Sequence, residues 1–325
     1  MLRNILCSFA RQTRRIVKYS SERSPLVYNC RGWTQNKFIR SCLKLLVTPF
    51  TALKYFRFRN ITGREGLALV LIAKNEAPYI EEWINFHRRQ GVSHFIIYDN
   101  ESTDNFREVL KPFADSGLVT YSIINGRARQ LDAYNKALHD YGHKFRYMGF
   151  IDADEFVFVR RTTDGGGGYG NLCIFLDDFM RQHPNAGGIA VNWCVFGSGG
   201  HITKPEGGVL ENYTMCAQKD FEANHHIKTI CDPVRVLAFI SDHFPLYFRG
   251  FDNLDENGRI VNGTHSQSVN FDKIRINHYF TKSREEFTAK RNRGLADGPG
   301  LRNMSDFDIH DQNIIRDTEI LSHML

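Results

Sequence analysis

Little in the first 60 residues of this 325-residue sequence would let it cross a membrane. The longest apolar stretch there, Leu45 to Leu53, is broken by Thr48, Pro49 and Thr51, well short of the roughly 20 residues a bilayer requires. Neither a transmembrane helix nor a signal peptide is expected. The seven cysteines, an odd number without a CxxC pair, offer neither a disulfide framework nor a zinc site. A reducing, cytoplasmic setting follows. Acid is scarce at one end: residues 1–60 carry thirteen Lys or Arg against Glu22 alone, which leaves the remainder slightly acidic. A basic segment over 1–62 therefore precedes a near-neutral body, and since no RNA- or DNA-binding motif follows, nucleic acid is not an expected partner.

That segment supports two readings. Leu43, Leu45, Leu46, Val47, Phe50, Leu53 and Phe56 interleave with Lys44, Lys54, Arg57 and Arg59, a composition that suits peripheral contact with an anionic membrane. A helix packed on the main body, or a loose arm, is the other reading.

The body is well supplied for a core, with 42% hydrophobic and 13% aromatic residues overall. From Gly66 onward, apolar strands alternate with helical periodicity. LALVLIA (67–73), HFIIY (94–98), GLVTYSII (117–124) and RYMGFID (146–152) read as strands. The segments 77–90, 104–114 and 128–142 read as helices. The β-α-β-α-β-α-β order predicts an α/β fold with a mostly parallel central sheet flanked by helices, and ligands bind such sheets beyond the carboxyl ends of the strands.

Those ends are polar: Lys74-Asn75-Glu76, then Asp99 to Asp104, then Asp152-Ala153-Asp154-Glu155. Asp, Asn, Ser and Thr are ordinary helix caps, but capping does not account for Asp152 and Asp154, which run into the apolar Phe156-Val157-Phe158-Val159. Three carboxylates buried without partners would cost more than one strand's apolar burial returns. On an extended chain, two carboxylates one residue apart face the same side, an arrangement suited to a hard divalent cation. Metal binding is the expected means of neutralisation.

Asp152-Ala153-Asp154 resembles the DxD motif of GT-A glycosyltransferases. KNEAPYIEEWINFHRRQGVSHFIIYDNESTD, VNWCVFGSGGH and INHYFTKSREEFTAKRNRG are similar, in that order, to family 92 glycosyltransferases over roughly Leu67 to Gly294. The resemblance implies a GT-A (Rossmann-like) domain over 63–294, with 295–325 as a C-terminal helical tail. It implies transfer of a sugar, galactose first among candidates, from a UDP-sugar to a glycan or polysaccharide acceptor, with inversion and with Mn²⁺ or Mg²⁺ as cofactor. Asn75, Glu76, Asp99 and Asp132 become candidate nucleoside contacts. Asp152 would reach the ribose or the metal, and Asp154 and His278 would ligate the metal.

Lys228 is a candidate for the diphosphate or a plain surface lysine. Trp193 and Phe196 would form a sugar platform or pack in the core. Glu211, ahead of Glu222, is the candidate base for the acceptor hydroxyl. The glycine-rich run 164–170 lacks a Walker A lysine and reads as a lid or a surface excursion. A carbohydrate-binding or scaffold protein with a structural metal is the alternative function.

Overall fold

The computed structural model describes residues 62–160, 170–248, 250–292 and 302–324. The basic segment up to residue 61 and the glycine-rich run up to residue 169 lie outside the described residues.

The first four strands are β1 (Leu67–Ala73), β2 (His94–Asp99), β3 (Val119–Ile123) and β4 (Tyr147–Phe150). They are joined by α1 (Ala77–Arg89), α2 (Phe106–Asp115) and α3 (Gln130–Tyr141). Beyond the acidic turn come β5 (Glu155–Val159), α4 (Leu172–Gln182), β6 (Ala186–Val195), α5 (Val209–Asn212), β7 (Met215–Cys216) and β8 (Ile227–Cys231). Then follow β9 (Val236–Phe239), β10 (Pro245–Tyr247), β11 (Asp252–Leu254), β12 (Ile274–His278), α6 (Arg284–Asn292), α7 (Met304–His310) and β13 (Ile315–Arg316).

The main sheet runs β3-β2-β1-β4-β8-β6-β12-β5, with β11 also on β6. β1 to β4 are mutually parallel. β8 is antiparallel to both β4 and β6, and β5 is antiparallel to β12. The parallel half is the βα series read from the sequence. The other half is mixed, because β5 does not continue β4: it crosses to the far edge of the sheet.

The period of two along β1 divides two cores. Leu67, Leu69 and Leu71 pack with Ile80, Trp83 and Ile84 of α1 and Leu110 of α2. Ala68, Val70 and Ile72 pack with Ala133, Tyr134 and Ala137 of α3. Both faces are thus covered, which is why β1 reads as an unbroken apolar run.

Residues 302–324 hold one helix, one short strand and a 3₁₀ turn. β13 pairs with β7, and Arg160–Glu319 at 2.6 Å and Arg275–Asp317 at 2.8 Å tie this segment to the sheet. Among the described residues, no helix is long and apolar enough to cross a membrane.

Candidate active site

A cleft of about 270 Å³ opens at the carboxyl ends of β1 and β4. Lys74, Glu76, Asn100, Gln130, Asp152, Asp154, Trp193, Asp242, His243, His278, Lys290 and Arg302 are among its lining residues. A second cavity of about 340 Å³ adjoins it, shares Asp154, Phe280 and Lys290, and adds Asn75, Tyr79 and Lys282.

The floor is the acidic turn. Glu155 N–H donates to the Asp152 carbonyl at 3.1 Å, and Glu155 Oε2 accepts from Asp152 N–H at 2.9 Å. This tight closure breaks the pleat, so the two aspartates do not share one face as an extended chain would arrange them. Asp152 Oδ2 meets Lys228 Nζ at 2.9 Å and Oδ1 accepts from Gln130 at 3.0 Å. Asp154 accepts instead from Lys290 and has His278 Nε2 3.7 Å from its Oδ1. Two side chains of α1 hold the turn and the strand that follows it: Trp83 Nε1 donates to the Glu155 carbonyl at 2.8 Å, and Val157 N–H donates to His87 Nε2 at 3.0 Å.

The chain's own ammonium groups therefore neutralise the turn, where a metal alone was expected to. Lys228 is 1% exposed in its side chain and lies 4.0 Å from Glu155 Oε1. It sits behind Asp152 and does not line the cleft. Burial opposes its charge, but Asp152 and Glu155 outweigh that and raise its pKa well above the usual lysine value. Burial likewise pushes Asp154 up, yet Lys290 and then His278 hold it well below the carboxylate range. Burial draws Lys290 down to about 8 against the pull of Asp154. The His278 imidazole is lowered by burial, with Asp154 opposing. Glu155, wholly buried, is pushed well above the carboxylate range by burial, with Lys228 pulling the other way.

The remaining expected residues divide. Glu76 is buried and lines the cleft, with Lys282 Nζ 3.9 Å from its Oε2. Asn75 lines the adjoining cavity in a left-handed conformation, φ 56°, and its Oδ1 accepts from Thr103 N–H at 2.7 Å, locking the β1 and β2 loops together. Asp99 serves its own loop, accepting from Ser102 N–H at 2.8 Å and from Tyr121 Oη at 2.6 Å, and it is Asn100 that reaches the cleft. Asp132 is exposed and pairs with Arg129 at 2.8 Å; two residues earlier, Gln130 faces Asp152. Trp193 lines the cleft, whereas Phe196 is buried against Tyr279. Glu211 is exposed on α5 and lines neither cavity.

Asp242, His243, Lys290 and Arg302 were not singled out by sequence reasoning. Lys290 lies within the INHYFTKSREEFTAKRNRG block, eight residues after Lys282 on helical sequence, and that spacing was the available signal. Asp242 and His243 sit in a loop with no sequence pattern to mark them.

A parallel half-sheet with the cleft at its strand ends, an acidic turn after β4 and antiparallel strands closing the far wall define the GT-A class of α/β fold. The chain belongs to glycosyltransferase family 92, whose model matches residues 72–315. A glycosyltransferase family 92 protein of Ricinus communis is 26% identical over 73% of this chain and 39% of its own length. A galactan beta-1,4-galactosyltransferase of Arabidopsis thaliana is 37% identical over 41% of this chain and 29% of its own. The chain thus spans about two fifths or less of these relatives. Among solved structures, S. aureus TarS in complex with UDP aligns with a TM-score of 0.34 and 13% identity over 51% of this chain and 46% of that one.

Proposed function

We propose that this protein transfers a hexose, galactose first among candidates, from a UDP-sugar to a glycan or polysaccharide acceptor with inversion, using a divalent cation held by Asp154 and His278. The observation that carries this reading is the meeting of those two side chains, one on the acidic turn and one at the end of β12, on one wall of the cleft. The galactan beta-1,4-galactosyltransferase relative supports galactose as the sugar and a galactan-like chain as the acceptor.

The donor set fits a cation of the Mn²⁺ or Mg²⁺ kind. Asp154 Oδ1 and His278 Nε2, 3.7 Å apart on one wall of the cleft, are the carboxylate oxygen and imidazole nitrogen that would hold such an ion. Among the described residues, no group of three or more His, Cys, Asp or Glu is placed to hold an ion by itself. When bound, the ion would offset the charge gathering on the departing diphosphate. Lys290, on the other oxygen of Asp154, adds positive charge to the same wall, and Glu76 and Asn100 lie where the nucleoside would enter. Asp152, fixed by Lys228 and Gln130, keeps one edge toward the cleft with a third of its side chain exposed.

The test is thermal stability with UDP, with and without Mn²⁺, for the parent and Asp154→Asn. At 100 times Kd a ligand adds about 2.7 kcal/mol, so UDP with Mn²⁺ should raise the Tm of the parent, Mn²⁺ should be required, and Asp154→Asn should abolish the gain. A second reading draws support from the lysines: with both aspartates already neutralised, the turn is stable without an ion, as a scaffold protein would need. That reading predicts no gain from UDP under any metal condition and no transfer in a screen of UDP-sugars.

A further inference from the structure

We propose that His243, with Asp242 beside it, is the group that takes the proton from the acceptor hydroxyl. This rests on the transferase reading of the cleft.

Three of the carboxylates that line the cleft are otherwise engaged, and the fourth, Asp242, stands beside His243. Asp152 holds Lys228 and Gln130, Asp154 holds Lys290, and Glu76 faces Lys282. Glu211 stands outside. His243 differs because its tautomer is set by its surroundings. Nδ1 lies 2.8 Å from the Ile227 carbonyl, and a carbonyl only accepts, so Nδ1 carries the proton and Nε2 keeps its lone pair. Nε2 is also 3.4 Å from Asp242 Oδ2, and the two side chains retain 13% and 25% exposure at the cleft. Nε2 is thus the ring nitrogen able to take a proton, with the Asp242 carboxylate beside it to balance the imidazolium that results.

The loop that carries the pair is fixed. Thr229 Oγ1 donates to the His243 carbonyl at 2.9 Å, Lys228 Nζ to the Asp242 carbonyl at 3.3 Å, and His243 N–H to Ser241 Oγ at 3.2 Å. The charged and titratable groups facing the imidazole are Asp242, Lys228, Asp152 and, ring to ring at 5.4 Å, His226. Burial, then Lys228, lowers the imidazole below its usual range, with Asp242 opposing. It is therefore neutral at pH 7.

Trp193, 9% exposed, lines the same cleft with its ring stacked on His226 at 4.8 Å. Its ring centroid is 5.4 Å from that of His243, so the indole walls the side of the cleft on which the imidazole stands. In the step itself, the acceptor oxygen bonds to the anomeric carbon as its proton passes to Nε2. The bond from that carbon to the diphosphate breaks, and its electron pair leaves with UDP. Asp242 balances the imidazolium until the proton passes to solvent.

The test uses the full chain with the donor and acceptor pair active for the parent. If no pair is active, the transferase reading fails first, and the inference falls with it. Otherwise His243→Asn, whose amide can still donate to the Ile227 carbonyl, should keep Tm and UDP affinity within twofold of the parent while kcat falls at least about 100-fold. His243→Ala should behave alike and recover transfer with added imidazole. Asp242→Asn should lose about 10-fold and shift the acid limb of kcat/KM to lower pH, because the imidazolium loses its counter-charge. Glu211→Gln should transfer like the parent. Transfer by His243→Asn within threefold of the parent, failure of imidazole to rescue folded His243→Ala, or loss of transfer in Glu211→Gln would each overturn the assignment.

Discussion

Removing the charge of Lys228 is the sharpest perturbation of the acidic turn. Its side chain is 1% exposed, 2.9 Å from Asp152 and 4.0 Å from Glu155. Deleting one member of a buried ion pair costs about 3–5 kcal/mol, because the charge left behind stays desolvated. Two features reduce that cost. Asp152 keeps 34% side-chain exposure and its bond from Gln130, so water and an amide carry part of its charge. Glu155, already pushed up by burial, can take up a proton. Lys228→Met should therefore lose about 2–3 kcal/mol, just below that range, and lower Tm by roughly 3–6 °C.

The sign of its pH dependence follows from Glu155. A carboxyl whose folded pKa exceeds its unfolded value, 4.5 here, contributes stability that is full below 4.5 and fades as pH rises through the folded value. Without Lys228 that folded value rises further, so the deficit of the variant should be smaller at pH 5 than at pH 8. Thermal unfolding followed by circular dichroism at both values measures this. The double variant Lys228→Met with Asp152→Asn, which removes the stranded carboxylate, should regain about 1 kcal/mol. A single variant as stable as the parent at pH 8, or a deficit unchanged between the two pH values, would refute the role given to Lys228.

Acid should loosen the support beneath the turn. Burial draws the His87 imidazole from 6.5 down to about 3, so its stabilising effect is full above pH 6.5 and is lost as pH falls toward 3, at up to about 1.4 kcal/mol per pH unit; an acid-unfolding curve of His87→Gln that runs parallel to the parent's would contradict this. Gly188→Ala should cost about 1–3 kcal/mol in urea unfolding, because a Cβ there would lie 2.5 Å from Tyr247 Oη and 2.7 Å from the Ile230 carbonyl, and a neutral result would mean that β6 and β8 can separate to admit it.

The parallel half was legible because each of its signals is local. β1, α1, β2, α2, β3 and α3 declare themselves by period and by their ends, and the observed boundaries lie within about two residues of the pattern. The second half escapes such reading because its partners are distant in sequence. The apolar run after Glu155 looks like a continuation of the strand before it, yet β5 pairs with β12, more than a hundred residues away. Nothing within a window of ten residues distinguishes the two outcomes.

The same limit explains the carboxylates. Seen along the chain, Asp152, Asp154 and Glu155 are three negative charges in four residues, and an external cation is the economical way to balance them. Across the fold the balance comes from Lys228, 76 residues on, and Lys290, 136 residues on, neither with a periodic relation to the acids. The family resemblance supplied His278, since a motif carries long-range placement that local chemistry lacks, but it left Lys290 unmarked inside a block already quoted. These contacts bind β4, β8 and α6 to one turn. Assembling the floor of the cleft therefore requires the whole domain to fold, and a substitution at either contact should alter ligand binding and stability together.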